Sequence, residues 1–334
     1  MPSGHQNPAI DAIVARLVKA FPDHPARSLA RKLVEETNGA LTLEAARTKI
    51  RTVFGVHCKD RRKYAKSPRP PRQPGQTIAM PKSWAEPWTP YVLEVVGRVG
   101  ILSDVHVPYH DEIALRAAVD RLAGERIDAL VLNGDCADFY GISRWEKDPS
   151  KRDFKGELQA VRDFVAWIRG NFPDIPIVYK SGNHEERWKH WLWQHAPEIS
   201  DEPMMSLVAW LKLGDHGVEL VEDQRPIMVG KLPVLHGHEL PKGMAAPVNV
   251  ARGAFLRTLA SVLVGHSHRS SGHAESDMWH AETFCWSTGC LCDLTPQYAV
   301  INRWNHGGAI VTVHADGQYD VENFRISGGK VRSS

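Results

Sequence analysis

The stretch IDALVLNGD, residues 127–135, decides the fold. Ala129 to Leu132 form an apolar run with no polar alternation, which is the pattern of a strand covered on both faces. The run ends in Asn133-Gly134-Asp135, where the glycine lets the backbone turn sharply beside polar side chains. Working outward, VLEVVGRVGILSD (92–104) and IPIVYKSGN (175–183) read as further strands. Glu112 to Leu122 and Leu158 to Ile168 carry helical spacing between them. Strands alternating with helices imply βαβ units around a buried central sheet. LPVLHGH (232–238), SVLVGHSH (261–268) and GAIVTVHADG (308–317) supply more strands with fewer helices between them. That change implies a second sheet stacked on the first. No internal repeat is visible.

Upstream of this body the chain is different. Apolar residues at Ile10, Ile13, Val14, Leu17 and Val18 make one helical stripe, and Leu29, Leu33 and Val34 make a second. A third helix starts at Thr42 in capping position, buries Leu43, Ala46, Ile50 and Val53, and closes at Gly55. The third helix also carries Arg47, Lys49 and Arg51, so residues 1–58 read as a small, helix-turn-helix-like module. The alternative is a three-helix cap that packs on the main domain. KDRRKYAKSPRPPRQPGQTIAMPK (59–82) is basic and rich in proline, and residues 59–90 read as a flexible linker. The main domain is then 91–330.

The net charge of +2 conceals an asymmetry. Residues 1–82 hold 16 Lys and Arg against 6 Asp and Glu, while the rest holds 25 against 33. A basic arm on an acidic body points to an anionic partner for the arm, with nucleic acid first. The longest apolar stretch, Met204 to Leu213, is too short for a membrane helix and contains Lys212. The first residues do not have the form of a signal peptide, so a cytoplasmic protein with no membrane partner is expected. Five cysteines at irregular spacing do not form a disulfide framework, and Cys285, Cys290 and Cys292 read as buried thiols.

The chemistry lies at the strand ends. GILSDVH ends in Asp104 and His106, ALVLNGD in Asp135, and IVYKSGNH in Asn183 and His184. LPVLHGH ends in His236 and His238, and SVLVGHSH in His266 and His268. Open α/β sheets place ligands at such ends. Asp104 with His106, and His266 with His268, are spaced i, i+2; in extended chain each pair would point one way and chelate. Each piece alone is weak. Together they would leave many buried charges unpaired unless a metal were bound.

The order Asp-X-His, Gly-Asp, Gly-Asn-His-Glu, His-Gly, Gly-His-X-His resembles the calcineurin-like metallophosphoesterase superfamily over roughly residues 95 to 325. The resemblance implies an α/β (α+β sandwich) fold of two stacked mixed β-sheets flanked by helices. It also implies two divalent transition-metal ions. Asp104, His106 and His268 would hold one, Asn183, His236 and His266 the other, and Asp135 would bridge them. Mixed nitrogen and oxygen ligation suits manganese, placed first, and also iron, zinc or nickel. Such a pair shares a water, lowers its pKa and aims it in line at phosphorus. His184 would assist departure of the leaving oxygen, oriented by Asp138, and these two form the catalytic pair.

This chain departs from the protein-phosphatase branch of the family. Phe139-Tyr140-Gly141 stands where that branch has Asp-Arg-Gly, and no Arg precedes Gly182. Arg144 and Arg187 are candidate phosphate contacts, the alternative for each being a surface salt bridge. His238 is a candidate substrate contact or a support for the ligands. Glu185 supports the turn or a ligand. His110 reads as a helix-start residue. Trp188, Trp191 and Trp193 read as core packing, the alternative being base stacking. The expected function is hydrolysis of a nucleic-acid or nucleotide phosphoester. The alternatives are a general phosphatase acting on small molecules or phosphoproteins, and a non-catalytic nucleic-acid-binding protein.

Overall fold

A computed structural model of the chain describes residues 7–55, 80–146, 148, 150, 153–241 and 248–332. It separates into two compact units, Met1–Ala85 and Glu86–Ser334. Most of the basic stretch 59–82 lies outside the described residues.

The first unit holds α1 (Pro8–Ala20), α2 (Ala26–Glu36) and α3 (Leu43–Phe54). Asn7 caps α1 by accepting from the Ala9 amide, with Pro8 in the first turn, and Thr42 caps α3 by accepting from the Ala45 amide. Val14, Leu17, Val18, Leu29, Leu33, Ala46, Ile50 and Phe54 meet in one core. Leu43 and Val53, expected in that core, are only partly buried at its margin, and Phe54 takes the central place. Lys49 pairs with Asp11 at 2.8 Å and Arg47 with Glu44 at 3.4 Å, so the basic face of α3 is partly neutralised within the module.

Among its described residues the second unit holds thirteen strands and five α-helices. Its strands are β1 (Tyr91–Leu93), β2 (Gly97–Leu102), β3 (Ala129–Asn133), β4 (Ile177–Lys180), β5 (Val218–Val221), β6 (Ile227–Val229) and β7 (Leu232–Leu235), then β8 (Val262–Val264), β9 (Ser271–Ser276), β10 (Glu282–Ser287), β11 (His306–Val313), β12 (Tyr319–Ser327) and β13 (Lys330–Arg332). Its helices are α4 (Glu112–Gly124), α5 (Phe154–Asn171), α6 (Glu186–His195), α7 (Leu207–Leu211) and α8 (Val250–Thr258). One sheet runs β13-β12-β11-β2-β3-β4-β5 and the other β1-β6-β7-β8-β10-β9. Both are mixed: β2 to β5 are parallel neighbours, as are β7, β8 and β10, while β11, β12 and β9 pair antiparallel.

The stretch 92–104, expected as one strand, is two strands in different sheets. Gly97 breaks it with φ 126°, and a Cβ there would lie 2.1 Å from the Asp128 carboxylate. The period of two then assigns the layers. Val99, Ile101, Ala129, Val131 and Val178 face the second sheet and pack on Val229, Val234 and Leu263. Leu102, Leu130 and Leu132 face the other way, into a core with Leu115, Val119 and Leu122 of α4 and Val161, Val165 and Ile168 of α5. On the far side of the second sheet α8 covers Val262, Val264 and Cys285. No helix among the described residues is long and apolar enough to cross a membrane.

Ile101 is fully buried between the sheets. Ile101→Ala is expected to lower unfolding stability by about 2–5 kcal/mol. Urea titration should show a lower midpoint at unchanged slope.

Candidate metal centre

Parallel pairing brings the strand ends to one edge. Leu102 is in register with Leu132, Asn133 with Lys180, and, in the other sheet, Leu235 with Val264. Bonds between the two sheets, and between neighbouring strands within each, then lock these ends together. The Asn133 side-chain amide donates to Leu235 O at 2.8 Å, and His236 Nδ1–H donates to Asn133 O at 2.8 Å. Gly265 N donates to His236 O at 2.8 Å, and Asp104 N to Gly134 O at 3.1 Å.

The polar residues beyond the strands are not extended, which corrects the i, i+2 expectation. Asp104, His106, Asp135, His266 and His268 all have φ between 51° and 64°. Left-handed backbone at residues other than glycine costs roughly 1–3 kcal/mol each and persists where the surroundings enforce it. Strands end at Leu102 and Val264, so each following side chain is aimed by a turn. His266 and His268 therefore go to different groups: His266 stands with Asp135 and His236, His268 with His106 and Cys292. The spacing glycines are required by close approach. A Cβ on Gly182 would lie 2.3 Å from Asp135 Oδ1, and one on Gly265 would lie 2.1 Å from Ser103 Oγ.

The donor set fits two metal ions. His106, Asp135 and His184 form a third group, and within each group the candidate ligand atoms lie within 4.8 Å of one another. His268 Nε2 is 3.1 Å from Asp104 Oδ1 and 3.2 Å from His106 Nε2. His236 Nε2 is 3.2 Å from Asp135 Oδ2. His236 Nε2 and Asn183 Oδ1 are buried with no hydrogen bond, both in the group expected to hold the second ion. The tautomers agree with ligation. His236 gives its Nδ1 proton to a carbonyl, and His106 Nδ1–H donates to Asp138 Oδ1 at 2.9 Å, which leaves each Nε2 free as a ligand atom.

The electrostatics carry the same message. Asp104, Asp135 and Asp138 are all buried. Burial alone would raise their pKa values, but His268 beside Asp104, His236 beside Asp135, and His106 and His184 bonded to Asp138 hold all three low. Burial opposes the charged form of His236 and His268, yet the Asp135 and Asp104 carboxylates push each up to about 10. The carboxylates thus draw positive charge onto their neighbours, and bound cations would supply the same charge.

Asp138 does more than the sequence indicated. It bonds His106 and also lies 3.1 Å from His184 Nδ1, which donates to Asp138 O at 2.9 Å. His184 Nε2 accepts from Arg187 Nη2 at 2.9 Å, and Arg187 Nη1 donates to Asp138 O at 2.8 Å. Arg187 therefore faces the centre rather than making a surface salt bridge. Burial disfavours the His184 charge, but Asp135 and then Asp138 outweigh it and raise its pKa. Arg144 is exposed, with its guanidinium 5.1 Å from the Trp145 ring. His238 Nε2 lies 3.1 Å from Glu186 Oε1. His110 directly precedes Asp111, the cap of α4. Trp188 is buried and stacks on Trp191 and Phe154, whereas Trp193 is exposed under Lys189 and does not belong to that core.

Three supports were missed or left vague by sequence reasoning. Glu185 is fully buried and accepts from the amides of Asp135, Ala137 and Gly182 at 2.8–2.9 Å and from Tyr179 Oη at 2.7 Å. Lys180 is also fully buried, 3.0 Å from Glu239, which accepts from the His236 amide at 3.1 Å. Burial works against the Glu239 charge, but Lys180 holds it at about 2. A lysine closing the apolar run IVYK was the available signal. Cys292 lies with its Sγ 3.7 Å from His268 Nδ1, a proximity that spacing did not reveal.

The two-sheet sandwich carries at its strand ends groups of His, Asp and Cys side chains able to hold metal ions. Residues 97–283 match the model for the calcineurin-like phosphoesterase family, and the chain belongs to that family. It is 27% identical over 179 residues to the Gene 54 protein of Mycobacterium phage L5, covering 52% of this chain and 69% of that protein. Similar solved structures include Vacuolar Protein Sorting 29 from Cryptosporidium parvum, with 12% identity, TM-score 0.38, and 71% and 95% of the two chains covered. A dimetal phosphatase from Danio rerio is 13% identical, with TM-score 0.35 and coverage of 71% and 98%.

Glu185→Gln would put an amide donor against backbone N–H groups. It is expected to lower unfolding stability by roughly 1–3 kcal/mol. Elemental analysis of the purified variant should show reduced metal content, because Asp135 and Gly182 lose their brace.

Proposed function

We propose that the chain hydrolyses nucleic-acid or nucleotide phosphoesters at a centre holding two divalent transition-metal ions, manganese first. The observation that carries the reading is the convergence of Asp104, His106, Asp135, His236, His266 and His268 from four strand ends, with Asn183 Oδ1, at the end of a fifth strand, buried without a hydrogen bond. Asp104, His106 and His268 would hold one ion and Asn183, His236 and His266 the other, with Asp135 serving both. Ions held there supply Lewis acidity toward the phosphoryl oxygens and make water a nucleophile at neutral pH.

The chain's own groups do the rest. Asp138 fixes the His184 ring through Nδ1, so Nε2 faces the space beside Asp135. An incoming phosphoryl group is a charged acceptor and competes for the Arg187 guanidinium better than a neutral imidazole does. Arg187 then contacts phosphate and frees Nε2, which takes up a proton from solvent, and the imidazolium so formed faces the leaving oxygen and donates that proton to it. In this reading residues 91–330 carry the chemistry, 1–58 form a nucleic-acid module and 59–90 tether it. Support for the nucleic-acid part is the basic excess of residues 1–82, half of whose basic residues fall in 59–82.

His184→Ala should lower turnover about 10²–10⁴-fold while metal content measured by elemental analysis stays near that of the parent. Loss of metal would instead make His184 a ligand. Removal of residues 1–82 should weaken oligonucleotide binding and flatten its salt dependence in fluorescence anisotropy titrations. Unchanged binding would remove the nucleic-acid part of the proposal.

A further inference from the structure

Residues 293–305 form a loop at the rim of the centre. Its ends are tied to the turns that carry ligands: Asp293 N donates to Tyr109 O at 2.8 Å, and Asn305 N to His268 O at 2.9 Å. Just before it, Leu291 N donates to Asp104 O at 3.0 Å. Within the loop the Asn302 side-chain amide donates to Leu294 O and Ala299 O, both at 2.6 Å, and its oxygen accepts from Trp304 N at 2.8 Å. The loop is therefore internally built.

Its surface is mixed, with Asp293, Thr295, Gln297 and Arg303 exposed, but aromatic rings stand next to the centre. Trp304 meets the His268 ring edge-on with centroids 4.1 Å apart, and Tyr298 lies 6.2 Å from Trp304 at an angle of 62°. Tyr298 is 71% exposed. Desolvation of its phenol, and then the Asp138 carboxylate, raise the pKa of the hydroxyl, which sits in the field of Asp138 and Asp135. Tyr298 thus presents its ring to solvent beside Trp304, which itself meets the centre at His268.

We infer that Tyr298, backed by Trp304, is a specificity-determining wall that stacks the planar base of a nucleotide whose phosphoryl group lies at the metal centre. A flat exposed ring suits a base, which needs one covered face and keeps its polar edges in water. A sugar-only or short alkyl ester would gain little from it. The assignment rests on the phosphoesterase reading above. It deepens that reading by naming the group next to phosphorus.

The test compares two diesters with one leaving group on the full chain saturated with manganese: the p-nitrophenyl ester of thymidine 5′-monophosphate and methyl p-nitrophenyl phosphate. The ratio of their kcat/KM values should favour the nucleoside ester by at least about tenfold. Tyr298→Ala should bring the ratio close to one, and Tyr298→Phe should keep it. A structural role for Tyr298 would lower both rates and leave the ratio unmoved, which overturns the wall. Equal turnover of both esters by the parent protein overturns the wall and leaves phosphoester hydrolysis standing. Turnover of neither overturns the wall, and if p-nitrophenyl phosphate is not hydrolysed either, phosphoester hydrolysis falls with it.

Discussion

Three carboxylates buried in one place constrain everything else in this protein. Asp104, Asp135 and Asp138 sit where strand ends from two sheets meet, and water does not reach them. Their charge has to be balanced inside the fold. Imidazoles gather around them, and Asn183 Oδ1, next in sequence to Asp138's partner His184, is buried with no hydrogen bond of its own. The left-handed turns follow from the same demand: a strand cannot continue and also aim Asp104 or Asp135 into a shared point. Glycine at 182 and 265 follows as well, because the turns pass too close for a side chain.

Balancing the charge also couples the parts. Asp138 bonds both His106, a ligand candidate, and His184, which faces the reacting side. Arg187 bridges His184 to the backbone of Asp138. A change at any of these is felt by His106 and by His184 together. Glu185 and the Lys180–Glu239 pair act further out, holding the backbone of the Asp135, Gly182 and His236 turns in place. A ligand set that converges from separate strands needs such braces, since no single element fixes its geometry.

The sandwich and the gathering of polar side chains at its strand ends were legible because apolar runs end abruptly in Asp, Asn and His. That signal is local and survives without a structure. It gave the buried strand 129–133 and the grouping of five strand ends, and the family match over 97–283 agrees with it. What was illegible depends on contacts distant in sequence. Gly97 splits the run 92–104 because Asp128 occupies the space beside it. Arg187 reads as an ordinary charge at a helix start, and only the packing of α6 turns it toward His184. Lys180 looks like a strand-end lysine until Glu239 is found against it. Trp193 shares its spacing with buried Trp188 yet lies on the outer face.

The central claim is that the buried carboxylates exist to hold two metal ions on either side of Asp135. The direct measurement is anomalous diffraction from crystals grown with manganese, with data collected at an energy where manganese scatters anomalously. Two anomalous peaks should appear, one beside Asp104, His106 and His268, the other beside Asn183, His236 and His266, with the Asp135 carboxylate between them. A single peak, or ions bound away from Asp135, would contradict the account.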